Sequence, residues 1–496
     1  MDELRKNYRL WDAQQNCQEV VSPRDALPED DLVFFLIDTV ALLDLSAFHQ
    51  HYTRELRGQP PFDVTMMVTL LVYAYSVGVC SSRKIAAACE RNLAFRALVG
   101  SDPPDFRTIS DFRKIHAAAF RPLFVEVLRL AGELGMVKLG NLSTDGTKIR
   151  ANASRHKAMS YGYMNKEVER LEKEINALLK QAEQADAEQD AALGSRRGDE
   201  LPAELKRRED RLAKIREAKT RLEAAAKAEG EEEQRHRDAE QAAREAQGRK
   251  RRGKEPAPVK FTPEDKAQTN FTDSEAKIMK QSNKGFDYSY NAQGVVDSEN
   301  QIIVAAEVTQ QANDKKQAVP MAQAALENLA AAGIEVPKDA DNKPKAIPNT
   351  ADTGYFSEKA VEELESMGLD PHIAVGREKH HETLVPSAEE DVSQQDHHEA
   401  SVPTVQEEAA DSATTAADSA TTKEKMQRKL SSVTGKLLYA ARKHIVEPVF
   451  GQIKSARGIR KFLLRGLKKV SAEWQLICLT HNILKIWRRC GGVVPS

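Results

Sequence analysis

Phe286-Asp-Tyr-Ser-Tyr-Asn-Ala-Gln-Gly-Val-Val296, then Asp297-Ser-Glu-Asn300, then Gln301-Ile-Ile-Val-Ala-Ala-Glu-Val308, is the stretch on which the fold turns. Its first part alternates at period two, the period of a pleated strand, and the apolar run after the four-residue turn is a second strand. The two make an antiparallel hairpin. Downstream, Asp314–Ala332 has helical spacing and Pro344–Asp352 reads as a strand ending on an aspartate. Ser357 and Glu358 open a helix that runs through Met367, and Pro371–Gly376 is a short strand. Upstream, Leu139–Ile149 contains a short strand ending in Asp145-Gly146, where the glycine permits a turn or bulge. Strand, hairpin, helix, strand, helix, strand, helix is the order of a mixed α/β sheet with flanking helices.

Outward from this sheet the chain changes character. Residues 1–30 are polar and irregular, and Asp31–Leu45 is apolar with helical spacing. Asp63 is placed to cap a helix over Val64–Tyr75. A further helix opens at Ser81 and runs through Ile85, Cys89 and Leu93; a third opens at Asp105, with Thr108 as a candidate cap. Short helices studded with arginine fit a helix-turn-helix type of module, or a plain bundle whose arginines are solvated, and pattern alone favours the bundle. Between the first strand and the hairpin, Val168, Leu171, Ile175, Leu178, Ala182 and Ala185 recur three and four apart. Gly194–Pro202 breaks that seam, and Leu205, Leu212, Ile215 and Leu222 resume it. This predicts an antiparallel two-helix hairpin, each arm of about 30 residues reaching about 45 Å. Dimerisation, DNA clamping and decoration are all open to it. Arg249–Arg252 beyond it is a small basic patch of the kind usual in solvated turns.

Net charge is only -2, but the average hides a split. Lys423–Lys469 holds fourteen lysines and arginines against two acids, while Glu378–Thr422 holds eleven acids against one lysine. The second tract is rich in Ser, Ala and Thr and nearly repeats itself, as expected of a disordered linker. Its His380, His381, His397 and His398 have nothing to fix a metal geometry. Five scattered cysteines without a CxxC pair imply neither a zinc site nor a disulfide framework, and fit a reducing compartment. No apolar run reaches the roughly 18 residues of a membrane span, so a cytoplasmic location is the expectation.

The basic segment contains Tyr439-Ala-Ala-Arg442-Lys443-His444-Ile445-Val446-Glu447-Pro448-Val449-Phe450-Gly451-Gln452-Ile453-Lys454, a helix with one acid among bases. Glu447 and Lys454 fall on one face, and Val446, Val449, Phe450 and Ile453 on an apolar one. A surface helix with an acid–base pair would look the same; company decides. Asp145 and Asp352 each end a strand of one sheet, and Glu447 follows the last strand. Two aspartates and a glutamate suit hard divalent cations, which prefer oxygen ligands.

These segments resemble the DDE transposases of bacterial insertion sequences, whose core is ribonuclease-H-like. The resemblance rests on RGQPPFDVTMMVTLLVYAYSVGVCSSRKIAAACE, PPDFRTISDFRKIH, STDGTKIRANAS, the ADTGY box and LYAARKHIVEPVFGQIKSARGIRKFLLRGL. The last is the most specific, with Tyr-x-x-Arg ahead of the glutamate and Lys seven residues after it. It implies Asp145, Asp352 and Glu447 as a catalytic triad holding two Mg²⁺ ions, for which Mn²⁺ can substitute. It also implies Tyr439, Arg442, Lys443, Lys454, Arg457 and Arg460 as DNA-contacting residues. Four residues separate Arg442 from Glu447 where the family pattern has three, so Lys443 stands at the expected position and shares the arginine's candidacy. The implied activity is Mg-dependent strand cleavage and strand transfer at element ends. The partners would be double-stranded DNA and a second copy of the chain, in the nucleoid of a bacterial cytoplasm. A transposase-derived DNA-binding protein without catalysis is the alternative. The expected organisation is α/β with a ribonuclease-H-like mixed sheet, a helical domain over 1–138 and the first core strand over 139–160. The helical hairpin is inserted over 161–254, and the core resumes over 255–378. The acidic linker covers 379–428, and the glutamate helix with basic C-terminal helices covers 429–496.

Overall fold

In the computed structural model, the described residues are 22–52, 61–193, 203–246, 248, 257–281, 283–338, 342–376 and 421–492. The break at Gly194–Pro202, the Arg249–Arg252 patch, the four linker histidines and residues 1–21 lie outside them. Two compact units emerge, Met1–Ala131 with Leu476–Ser496, and Gly132–Gln475.

The first unit is helical: α1 (Leu32–Ala41), α2 (Ser46–His49), α3 (Val64–Ser76), α4 (Ser82–Arg91), α5 (Leu93–Val99), α6 (Phe106–Ile115) and the start of α7 (Phe120–Glu133). Asp63 caps α3, accepting from Met66 N at 2.8 Å. Two expectations need correction. Asp105, not Thr108, caps α6, because its carboxylate accepts the Thr108 amide at 2.7 Å. The helix opened near Ser81 also stops before Leu93: Asn92 leaves the helical conformation and its side chain takes the Ala94 amide, starting α5. α3 is buried nearly throughout, with Val68, Leu70 and Tyr75 fully inside. Not every arginine here is solvated. Arg113 is buried, donating to the Tyr75 hydroxyl at 2.7 Å and to the Cys80 carbonyl at 2.9 Å.

The second unit holds the sheet. In chain order it contains β1 (Leu142–Arg150), β2 (Ala158–Ser160), α8 (Tyr161–Leu193), α9 (Ala203–Ala246), β3 (Gln268–Asn270), β4 (Lys277–Lys280), β5 (Phe286–Asp297) and β6 (Ile303–Thr309). There follow α10 (Ala318–Ala331), β7 (Ile347–Ala351), α11 (Glu358–Ser366), β8 (Leu369–Ile373), α12 (Thr422–Ser431), α13 (Val433–Gly451) and α14 (Leu467–Arg489), the last running on into the first unit. β1 is the pivot: antiparallel to β5 on one edge, parallel to β7 on the other, with β8 parallel beyond. β4 and β6 take successive stretches of the outer edge of β5. The sheet is mixed, as the alternation of elements predicts. β4 was not foreseen, being four residues with charged ends. Ser357 caps α11 through the Ala360 amide at 3.2 Å.

β1 differs from expectation. The strand does not end at Asp145-Gly146; it runs nine residues, and Asp145 sits in its middle, paired with Gly294 of β5. Gly146 makes room rather than a turn. A Cβ there would meet Gln293 Nε2 at 2.2 Å and Asp314 Oδ1 at 2.9 Å.

α8 and α9 pair antiparallel, as the contacts Tyr161–Glu223, Glu172–Arg216 and Glu174–Arg208 show by running in opposite order. Leu171, Ile175, Leu212 and Ile215 form its buried seam, joined by Met164 and Ala218 and flanked by Val168, Leu178 and Leu222. The side chains of Ala182, Ala185 and Leu205 lie outside the described residues. At 33 and 44 residues the helices reach about 50 and 66 Å, longer than expected.

Order returns earlier than Met426 after the linker. Thr421 and Glu424 form a reciprocal capping box, which starts α12 at Thr422. The last helix likewise begins at Leu467 rather than Glu473. α13 contains Pro448, which has no N–H for the carbonyl four residues earlier. Gln301 Nε2 supplies the missing donor to that His444 carbonyl at 2.9 Å. The helix then loosens into one π-helical segment, Gln452–Ala456.

Candidate active site

Because β1 and β7 are parallel and in register, the two aspartates become neighbours. Leu142, Ser143 and Thr144 stand beside Asn349, Thr350 and Ala351, so Asp352 follows one rung later, beside Asp145. The Ser143 and Thr350 hydroxyls meet at 2.7 Å on the face to which period two assigns Asp145 and Asp352 as well. Asp352 Oδ1 accepts the Gly354 amide at 2.8 Å, which starts a short 3₁₀ turn and fixes the carboxylate. Asp145 Oδ1 accepts the Gly146 amide at 2.8 Å.

α13 covers this face, packing on β1, β5, β7 and β8 through Val446, Val449 and Phe450. Phe450 rests 3.6 Å from where a Cβ on Gly294 would lie, opposite Asp145. Arg442 is buried and reaches Asp145, Nη1 to Oδ2 at 3.4 Å, with its guanidinium 5.8 Å from the Tyr439 ring centre. Lys454, twelve residues on, donates to the Thr147 hydroxyl and to the Lys148 carbonyl at 2.9 Å. Arg460 Nε donates to the Lys454 carbonyl at 2.9 Å. Lys443 is exposed, Tyr439 and Arg457 are half-buried.

Electrostatics mark Asp145 out. Burial pushes its carboxyl up to about 6, helped by the nearby charges of Asp352 and Asp314 and opposed by the Gly146 amide and Arg442. Lys454 is pushed down to about 8, first by burial and then by Arg460 and Lys148. In both groups loss of solvent is the leading cause, and it disfavours the charged form.

Glu447 lies on α13 between Arg442 and Lys454, exposed, with no side-chain partner among the described residues. The structure brings Asp145 and Asp352 together and lays the glutamate's helix over them. It does not gather the three: among the described residues no three acidic, His or Cys side chains stand close enough to hold a metal. The donor chemistry of the two aspartates does fit a hard cation, being all oxygen, with one Asp145 neighbour already an acid.

One residue escaped the sequence reading. Asp314, assigned to a helix, sits in the loop before α10 on the opposite face of the sheet. Its Oδ1 accepts from Asn291 Nδ2 at 2.6 Å, Gln293 Nε2 at 2.7 Å and Lys148 Nζ at 3.4 Å. Gln293 in turn accepts from the buried Tyr355 hydroxyl, whose pKa burial drives far above its usual value. The available signal was Asn291 and Gln293, two amides two apart on a face of β5 whose Ser289 and Asp297 are buried polar groups as well.

Two family comparisons bear on this arrangement. Residues 21–115 match the family described as "Transposase domain (DUF772)", and residues 404–487 match "Transposase DDE domain". The second span contains Glu447 and its helix; Asp145 and Asp352 fall outside both. No curated protein and no solved structure matches the chain. Among the described residues no helix is long and apolar enough to cross a membrane. With a transposase domain near one end and a DDE transposase domain near the other, the chain belongs to the DDE transposases of insertion sequences.

Proposed function

We propose that this transposase cleaves DNA at its element's ends and joins the freed 3′ ends to target DNA, with Asp145, Asp352 and Glu447 as its acidic triad. The observation that carries the reading is the adjacency of Asp145 and Asp352 on parallel strands under the helix that bears Glu447. The strand order β6-β5-β1-β7-β8, antiparallel on one side of β1 and parallel on the other, supports a ribonuclease-H-like core.

In hydrolysis a water oxygen bonds to phosphorus, the bond to the 3′ oxygen breaks, and that oxygen leaves as a hydroxyl. In strand transfer this 3′ hydroxyl attacks a target phosphodiester, whose own 3′ oxygen leaves. A pair of divalent cations, Mg²⁺ or Mn²⁺, would supply charge at the attacking and leaving oxygens. Asp145 and Asp352 would hold them, with Glu447 completing the set by turning inward from its exposed position. Arg442 holds Asp145 in place until then. Lys454 and its basic neighbours would take the strand's phosphates, Lys443, Arg457 and Arg460 among them.

A second reading, a DNA-binding protein descended from a transposase and without catalysis, is favoured by one fact: no three carboxylates gather among the described residues. One experiment separates them. Purified protein is given Mg²⁺ and a duplex carrying the inverted repeat beside its gene, alongside Asp145→Asn, Asp352→Asn and Glu447→Gln variants. Cleavage by the wild type, lost in all three while DNA binding stays, is expected. Binding without cleavage in the wild type would sink the catalytic reading, and near-normal cleavage by any variant would remove that residue from the triad.

A further inference from the structure

At the far end of β1 from Asp145's rung lies a cavity of about 480 Å³, lined by Lys148, Arg150, Arg155, Lys454 and Arg460, with Asp287 among the other lining residues. Five cations against one carboxylate is a strong imbalance for so small a space. Three separated segments assemble it, and backbone hydrogen bonds lock them. The Arg150 amide donates to the Arg460 carbonyl at 3.3 Å, and the Phe462 amide donates to the Arg150 carbonyl at 2.9 Å. Lys454 is tied to the carbonyl of Lys148 and Arg460 to that of Lys454. Arg155 is held by Asp287 at 3.0 Å and by the Phe286 carbonyl at 2.9 Å. Only Arg150, exposed at the rim, has no side-chain partner among the described residues. Asp287 is thus committed to Arg155 and Asp314 to Lys148, which leaves Lys454, Arg460 and Arg150 without a carboxylate partner among the described residues. The two non-bridging oxygens of a phosphodiester, which share one negative charge, are the ligand chemistry that relieves such a cluster.

Lys148 and Arg150 stand three and five residues from Asp145 on one strand, about 10 and 17 Å at a strand's rise, on the face that Asp314 shares. Lys454, which lines the cavity and bonds Thr147 on the aspartates' face, links the two. We propose that the cavity binds a phosphate of the DNA strand engaged at the aspartates, a neighbour of the reacting one, and that Arg150 is the group left free to seize it. The proposal rests on the transposase reading for the identity of the strand, and on the cavity for the site.

The test uses the full chain and a duplex copied from the DNA bordering its gene. Arg150→Ala should lower the slope of log affinity against log salt by about one. Replacing single phosphates near the cleavage point by neutral methylphosphonates should cost the wild type about tenfold at one position. Arg150→Ala should be insensitive at that position and normal elsewhere. Arg155→Ala should give the same pattern more weakly. An unchanged salt slope together with wild-type sensitivity at every position overturns the proposal. So does a pocket that serves free anion: inorganic phosphate raising the Tm of the wild type but not of Arg150→Ala, with DNA binding identical in both. Running the same scan in Asp145→Asn separates the two readings, because the pocket does not need Asp145. A retained Arg150-dependent position without cleavage in any background would sink catalysis and leave the pocket standing.

Discussion

Arg442 and Asp145 meet at 3.4 Å although 297 residues separate them, one from the helix over the sheet and one from the sheet's central strand. The buried cation lies against the half-buried carboxylate and holds it partly ionised against the pull of burial. Removing it should show in the carboxylate first. In Arg442→Ala the Asp145 carboxyl should titrate at a higher pH than in the wild type, read by carbon-detected NMR of labelled aspartate. A titration that does not move would mean the two groups are not coupled.

The raised Asp145 carboxyl also sets a pH dependence. Its folded value of about 6 lies above the ordinary 3.8, so the native state binds the extra proton between them. Without metal, this group's destabilisation is complete above pH 6 and is relieved as pH falls toward 4. A cation must displace that proton below pH 6. Divalent affinity should therefore fall about tenfold per pH unit there, and hold steady above it. Calorimetric titration with Mn²⁺ at pH 5 and pH 7.5 checks this; equal affinities would exclude Asp145 as a ligand.

Gly146 cannot accept even a methyl. Gly146→Ala drives a carbon into Gln293 Nε2, which is pinned by Tyr355 on one side and Asp314 on the other. A loss of about 2 kcal/mol in denaturant unfolding is expected. The loss should shrink in a Gln293→Ala background, where the nearest obstacle is gone and Asp314 remains. A variant as stable as the wild type would show that the strand yields more easily than its packing implies.

His116 makes the helical unit sensitive to acid. It is buried among Phe48, Phe112 and Tyr52, and burial lowers its pKa to about 4, aided by His51 and His49. The unfolded chain takes up the proton near 6.5, the folded one near 4. Stability is full above pH 6.5 and falls between 6.5 and 4, by on the order of 3 kcal/mol in total. His116→Gln should flatten that part of the stability–pH curve. If the curve keeps its slope, another group is responsible.

How far the sequence spoke depended on whether a signal was local. The β5–β6 hairpin, the cap at Asp63 and the cap at Ser357 were readable because each needs only neighbouring residues. Asp145 was misplaced at a strand end because Asp-Gly is usually a turn, and only the far-off Gln293 and Asp314 show why a glycine is needed in mid-strand. Asp314 was missed for the same cause: its three donors come from β1 and β5, not from its own loop. The rung shared by Asp145 and Asp352 depends on a parallel pairing that no periodicity encodes.

The three-residue ladder of β2 and β3, Ala158 opposite Asn270 and Ser160 opposite Gln268, fastens the place where the long helical pair departs and comes home. Both ends of that excursion are thus stitched side by side before either arm begins. Growth or trimming at the tips of the arms leaves the stitch in place, since loop closure costs little more as a loop lengthens, and nearer its end α9 is also tied through Glu232 to Lys316 at 3.3 Å. An appendage rooted this way is free to change in evolution while the strands beneath it keep their places.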